Sequence, residues 1–177
     1  MLSKLHELDI SILTQVRKLP KGLRPVMIAS TIVGQPLVLF ALIAVFAGYM
    51  YILRDYTLVK VSMAASLLLL VSPMFKIVFQ RARPDELLYA TYKQPSSYSF
   101  PSGHAYCTML ILGLFAYLAF TRLDSPYQLL VPIVLAVLIF VIGFSRVYLG
   151  SHYASDVFAG WLLGSVVLVL LIKISGI

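Results

Sequence analysis

The chain has 177 residues, of which 60% are hydrophobic and 12% charged, with a mean hydropathy of +0.94. A composition this apolar excludes a water-soluble globule of ordinary make-up, because a domain of this length has too little interior to hide it and the surplus must meet lipid. Fourteen Lys and Arg against seven Asp and Glu leave a formal charge of +7, which suits anionic headgroups or phosphate better than nucleic acid, whose binders display their charge on a solvated face.

Residues 1–24 carry Leu2, Leu5, Leu8, Ile12, Val16 and Leu19 at helical spacing, with Lys4, Glu7, Asp9, Gln15 and Lys18 on other faces, the pattern of an amphipathic helix. It reads either as an interfacial helix lying on a membrane or as a short solvated helix packed on the rest of the protein. Glu7 and Asp9 interrupt the continuous apolar core that a signal peptide needs, so the segment is expected to stay in the mature chain. Residues 26–53 are uncharged over a length sufficient to cross a bilayer, for which about 20 residues are enough. A second span, 56–79, has Lys60 and Lys76 near its ends, either snorkelling to the interface or meeting a polar partner. The connection from Gln80 to Pro101 is rich in Arg, Pro, Ser and Tyr; a loop of this length in a compact chain is usually functional or disordered, and its basic content favours function. Within it Arg81, Asp85 and Glu86 read as solvated loop charges, and Tyr89, Tyr92, Tyr98 and Phe100 as an interfacial aromatic belt. Three more spans follow at 104–121, 127–148 and 153–174, separated by short polar connections, for five in all. Gly160 and Gly164, like Gly34 and Pro36 in the first span, read as positions of close helix packing. The single Cys107 lies in an apolar stretch and reads as packing; alone it forms no internal disulfide. With no internal repeat or low-complexity tract, residues 1–177 are expected to form one all-α membrane domain, an amphipathic segment (1–24) followed by a transmembrane core (26–174).

Counting spans fixes one spatial relation. The connection after span two and the connection after span four are separated by two crossings, so they lie on the same membrane face. The first carries Lys76, Arg81, Arg83, Ser102 and His104; the second carries Arg146, His152 and Asp156. Basic groups, two imidazoles and a Gly-containing turn opening a helix make a site suited to phosphate, because Arg offers bidentate forks and helix N-termini offer oriented N–H groups. His152 and Asp156 are four apart at the start of span five. They would share a helix face, the carboxylate fixing the imidazole tautomer and leaving the other nitrogen as nucleophile or general base; the alternative is a capping or solubilising pair. Pro101-Ser102-Gly103-His104 opens span three, either as an anion site or as plain capping by Ser102. Arg83-Pro84 alone would equally serve as a membrane-edge anchor followed by a helix stop.

Taken together, Lys76, six residues, Arg83-Pro84; Pro101-Ser102-Gly103-His104; and Ser145-Arg146, five residues, His152, three residues, Asp156 resemble the three motifs of the type 2 phosphatidic acid phosphatase superfamily of integral membrane lipid phosphatases. The resemblance covers Lys76 to Asp156, while the N-terminal 50 residues share only the general hydrophobic layout. It implies that Lys76, Arg83 and Arg146 hold the phosphate oxygens, assisted by Ser102 and the Gly103 backbone. It further implies that His152 is the nucleophile of a phosphohistidine intermediate, that Asp156 orients it, and that His104 protonates the leaving alcohol and then activates water. No metal or other cofactor is implied, and the sequence lacks the carboxylate cluster that would hold Mg²⁺ beside a phosphate. The superfamily's soluble vanadium haloperoxidases are disfavoured by five lipid-length spans. Its larger members have six spans; five plus an amphipathic start resemble its small bacterial members.

The expected activity is removal of a terminal phosphate from a membrane lipid: phosphatidic acid, phosphatidylglycerol phosphate or undecaprenyl diphosphate. An anion or lipid transporter is the alternative, against which the uncharged centres of spans one, three and four count. A structural membrane subunit has no use for the motif residues. Two indicators of sidedness conflict. The family's orientation puts the site on the extracytoplasmic face of the cell (inner) membrane. Lys4, Arg17, Lys18, Lys21 and Arg24 share that face if the first helix does not cross, while Arg54, Lys60, Arg122 and Lys173 lie opposite, so the positive-inside rule points the other way. The family's orientation is the one expected here.

Overall fold

The computed structural model describes residues 2–84 and 97–177, so Asp85, Glu86, Tyr89 and Tyr92 lie outside the described residues. Among those described, the regular structure is helical throughout: α1 (Leu2–Arg17), α2 (Arg24–Val33), α3 (Pro36–Ile52), α4 (Tyr56–Leu68), α5 (Val71–Phe79), α6 (Gly103–Arg122), α7 (Tyr127–Tyr148) and α8 (Ala154–Ser175). Four stretches are long and apolar enough to cross a membrane: 56–79, 103–122, 127–148 and 154–175. The bent pair 21–33 and 36–52 supplies a fifth if it is one span. Large side chains such as Leu37, Val45, Leu67, Leu129, Ile133 and Phe158 stand exposed on these helices, a surface that only lipid can cover. The chain is a multi-pass membrane protein.

Two of the expected spans are interrupted, each at a proline. The uniform span expected over 26–53 is instead α2 and α3, bent by 50°. Pro36 has no N–H to give back along the helix and its ring crowds the preceding turn, so the axis breaks there. Gly34 at the bend lets α2 press against α7: a Cβ on it would stand 2.2 Å from Ile142 Cγ2. In the second span Pro73 removes the N–H that would reach Leu69, and the helix turns between Leu68 and Val71. One residue earlier, the Leu68 carbonyl accepts from the Tyr106 hydroxyl at 2.7 Å, which ties the break to α6.

Helix α6 is the axis of the bundle, with α7 and α8 packed along it. Its buried Tyr106, Leu110, Ile111 and Leu114 join Leu39, Ile43, Val61 and Ile142 in the main apolar core. The close packing expected at Gly160 and Gly164 is realised here. A Cβ at Gly160 would lie 2.7 Å from the Ser102 carbonyl oxygen, and one at Gly164 2.8 Å from that of Tyr106. Helix α8 therefore meets the very start of α6 backbone to backbone, which sets the spacing of the two ends that carry the motif residues.

Helix α1 docks on this same end of the bundle. Leu13 is buried with Ala105, Val147, Tyr153 and Val157, and Ile12 and Val16 pack alongside. The inward face is rotated from the leucine stripe read in the sequence: Leu5, Leu8 and Leu19 are exposed, while Asp9 is buried. The helix is thus both packed on the bundle and left with an apolar strip suited to the membrane interface.

The Gly160 contact makes a direct prediction. Gly160→Ala drives a Cβ into the Ser102 carbonyl and will cost about 1–3 kcal/mol, lowering the thermal unfolding midpoint in detergent. Gly48→Ala, with nothing within 4 Å, will be neutral or stabilise by up to about 1 kcal/mol. Equal midpoints for the two variants would show that α6 and α8 are not held at this distance.

Candidate active site

Helix ends bring the motif residues together. Lys76 lies in the last turn of α5, which closes on Gln80 in the left-handed conformation (φ 46°) and turns the chain back over the bundle. Arg81 and Arg83 follow in that returning segment, held by the Ser99 N–H donating to the Arg81 carbonyl at 2.8 Å. Arg146 lies in the last turn of α7. The turn through Gly150 (φ 67°) then presents His152 just before α8, whose first turn holds Asp156.

Lys76 Nζ donates to the Tyr98 carbonyl at 2.9 Å. Arg83 donates from Nε to the Ser97 carbonyl at 2.7 Å, from Nη1 to the Ser151 carbonyl at 2.5 Å, and from Nη2 to the Tyr98 carbonyl at 3.3 Å. Its Nη1 is also 3.2 Å from His152 Nε2. Arg146 is buried and donates to Thr31 Oγ1 at 3.0 Å, and Thr31 in turn shares a 2.8 Å hydrogen bond with Ser145. These carbonyls and hydroxyls hold the three cationic side chains in place at one end of the bundle.

His152 and Asp156 are brought together, though not as neighbours on one helix face. His152 precedes α8, and its Nδ1 lies 3.6 Å from Asp156 Oδ2, longer than a hydrogen bond. The carboxylate is already engaged: Oδ2 accepts from the Tyr153 N–H at 2.9 Å and from the Ser99 hydroxyl, and Oδ1 accepts from Arg81 Nη1 at 2.6 Å. Burial pushes the His152 imidazole well below its ordinary value of 6.5; Asp156 opposes this while Arg83 and Arg146 reinforce it. Because a guanidinium can only donate, the Arg83 contact puts the lone pair on Nε2 and leaves Nδ1 to carry the ring proton on the Asp156 side.

Ser102 occupies the N-cap of α6, but its hydroxyl does not cap the helix as the sequence allowed. Its N–H donates instead to the Asp156 carbonyl at 3.0 Å, tying α6 to α8. The buried Ser102 Oγ, His104 Nε2, Ser72 Oγ and Ser151 Oγ have no hydrogen-bond partner among the described residues. Such atoms are rare in folded proteins, and Ser102 and His104 belong to the motif that opens α6. Ser72 is also the side chain nearest the Gly103 position, 3.4 Å from where its Cβ would stand.

Arg81 corrects the sequence reading. It is not a solvated loop charge: its guanidinium pairs with Asp156 at 2.6 Å and Asp9 at 2.7 Å and lies 4.3 Å from the centroid of the Tyr153 ring. Burial lowers its affinity for the proton, and Asp9 and Asp156 together outweigh that and raise it. Asp9, Ser99 and Thr31 escaped sequence reasoning. The available signal for Asp9 was its place on the face of Leu13 and Val16, an acid among apolar residues; nothing local marks Ser99 or Thr31.

The profile described as the PAP2 superfamily matches residues 55–176. Among curated proteins, phosphatidylglycerophosphatase B of Bacillus subtilis (strain 168) is 36% identical over 97 residues, 54% of this chain and 46% of that protein. An undecaprenyl-diphosphatase of Sulfolobus acidocaldarius is 42% identical over 94 residues, 51% of this chain and 41% of its own. The chain thus spans about half the length of the curated relatives it matches. The crystal structure of a transmembrane PAP2-type phosphatidylglycerolphosphate phosphatase from Bacillus subtilis superposes with a TM-score of 0.86 at 27% identity, covering 98% of this chain and 87% of that one. A profile match over most of the chain and a shared helical architecture thus agree with the three motifs read from the sequence, and the chain belongs to the PAP2 superfamily.

Proposed function

We propose that the protein is a lipid phosphate phosphatase that hydrolyses the terminal phosphate of a phospholipid or polyprenyl diphosphate through a phosphohistidine intermediate. The observation that carries this reading is the convergence of Lys76, Arg83 and Arg146 around a buried His152 at one end of a membrane bundle. An amphiphile anchored in the leaflet presents its phosphate at that depth. Transport has no comparable support, since the motif residues sit at helix ends rather than at the bilayer midplane.

In this mechanism the three cations bind the non-bridging oxygens, with Ser102 Oγ and the N–H groups at the start of α6 completing the cradle. His152 Nε2 attacks phosphorus and the bond to the lipid oxygen breaks, that oxygen taking a proton from His104. Asp156 stabilises the positive charge that develops on the His152 ring. Water then attacks the phosphohistidine, giving its proton to His104; the P–N bond breaks and inorganic phosphate leaves. Arg83 Nη1, 3.2 Å from the attacking nitrogen, is placed to follow the phosphoryl group through both steps.

The reading predicts phosphate release from at least one of phosphatidic acid, phosphatidylglycerol phosphate and undecaprenyl diphosphate by purified protein in detergent. Because the charge facing the phosphate comes from side chains, EDTA will leave that turnover unchanged. Loss of activity on chelation and its return with Mg²⁺ would refute the charge assignment.

The two histidines are separable. Acid quenching with ³²P-labelled substrate will trap label on His152, and His152→Ala will trap none. His104→Ala will slow a lipid ester by about 10²–10⁴-fold but an aryl phosphate much less, since that leaving group needs little protonation. Because His152 stays neutral to well below 6.5, the wild-type activity will keep its acid limb below that pH. Label on His104 would reverse these roles, and a wild-type acid limb at 6.5 would show that burial does not hold His152 neutral.

We also place the site on the extracytoplasmic face of the cell membrane, following the family resemblance. Helix α8 starts at the site and runs 22 residues, about 33 Å, so Ile177 lies at the opposite end. A fluorescent protein fused after Ile177 will then fold and fluoresce in the cytoplasm. An alkaline phosphatase fusion that is active instead would put the site inside, as positive-inside counting has it.

A further inference from the structure

We propose that Arg81 and Asp9 are positioning residues for the His152–Asp156 dyad, and that the N-terminal helix α1 thereby belongs to the reaction machinery. This rests on the reading of His152 and Asp156 given above. Arg81 spends its fork on two carboxylates from opposite ends of the chain: Nη1 donates to Asp156 Oδ1 at 2.6 Å and Nη2 to Asp9 Oδ2 at 2.7 Å. Ser155 closes the circuit. Its hydroxyl accepts from Arg81 Nη1 at 2.8 Å and donates to Asp9 Oδ2 at 2.5 Å, while its N–H donates to Asp9 Oδ1 at 2.9 Å. The Tyr153 ring covers the guanidinium.

The arrangement has a charge consequence. One guanidinium between two carboxylates leaves a net negative charge beside His152, whose other charged neighbours, Arg83 and Arg146, are cationic. Without Asp9, Arg81 would bind Asp156 alone and cancel the charge that supports the imidazolium formed on attack. Without Arg81, Asp156 Oδ1 would lose its charged partner, and only the Tyr153 N–H and the Ser99 hydroxyl on Oδ2 would hold the carboxylate near His152 Nδ1, 3.6 Å away.

A merely structural tie does not need this chemistry. Asp9 is 2% exposed, and a buried carboxylate carries a desolvation cost that an apolar contact avoids. Leu13, one turn along, docks the same helix without it. Both terminal nitrogens of Arg81 are taken by Asp9, Asp156 and Ser155, so Arg81 acts through Asp156 rather than on the phosphate.

The test is steady-state kinetics on purified Asp9→Asn, Arg81→Lys and the double variant, with Arg17→Gln as a charge-loss control on the exposed side of α1. Asp9→Asn and Arg81→Lys will each lower kcat, by about 10- to 100-fold, and slow phosphoenzyme formation in proportion, while KM and the folded fraction stay at wild-type values. Asp9→Asn will cost less than about 2-fold in the Arg81→Lys background, because its effect passes through Arg81. An effect confined to KM would make Arg81 a substrate contact; unchanged kcat, fully additive losses, or losses that vanish on correction for folded protein would each overturn the proposal. Those outcomes leave a working phosphatase, whereas a wild-type protein that releases no phosphate from any lipid removes the function and this inference together.

Discussion

A buried carboxylate must be surrounded by donors, and Asp156 draws its donors from segments that are remote in the chain. Arg81 and Ser99 come from the two limbs of the connection between α5 and α6, Tyr153 from the start of α8, and the Asp156 backbone carbonyl accepts from Ser102 at the start of α6. Arg81 extends the set to Asp9 on α1. In a low-dielectric interior each of these bonds is worth more than in water, and each is expensive to leave unmade. One residue, through its side chain and backbone, thereby ties together α1, α6, α8 and the returning segment, which carry or adjoin Arg83, Ser102, His104 and His152.

The bilayer dictates why these groups sit where they do. Charges are costly at its centre and helices satisfy their own backbones only away from their ends. Ends at the membrane edge therefore offer both polar surroundings and unspent N–H groups. Lys76, His104, Arg146 and Asp156 each occupy a first or last turn. The small residues of α8 complete the geometry, since the approach at Gly160 brings that helix against the Ser102 backbone.

The partners of the four basic residues near the site divide them into two kinds. Lys76, Arg83 and Arg146 donate to carbonyls and a hydroxyl, which orient each cationic side chain. Arg81 faces two carboxylates and has little field left to offer an anion. Residues only two apart in sequence, Arg81 and Arg83, therefore differ in kind: Arg81 holds the protein's own negative charge, whereas Arg83 reaches carbonyls and His152, where the proposed function puts the substrate phosphate.

The sequence alone determined that the chain is a helical membrane protein and that its motif residues share one face, because hydropathy and the parity of crossings are properties of the chain itself. It also carried the cause of both helix breaks, in Pro36 and Pro73. Only the tertiary structure decided which carboxylates neutralise Arg81, that the Ser102 hydroxyl is left unspent, and that His152 stands off the helix carrying Asp156. The physical reason lies in range. Periodicity and capping act over a few neighbouring residues, whereas Asp9 and Arg81 are 72 positions apart, and whether a charge is cancelled or kept depends on distances that packing sets and no local pattern encodes.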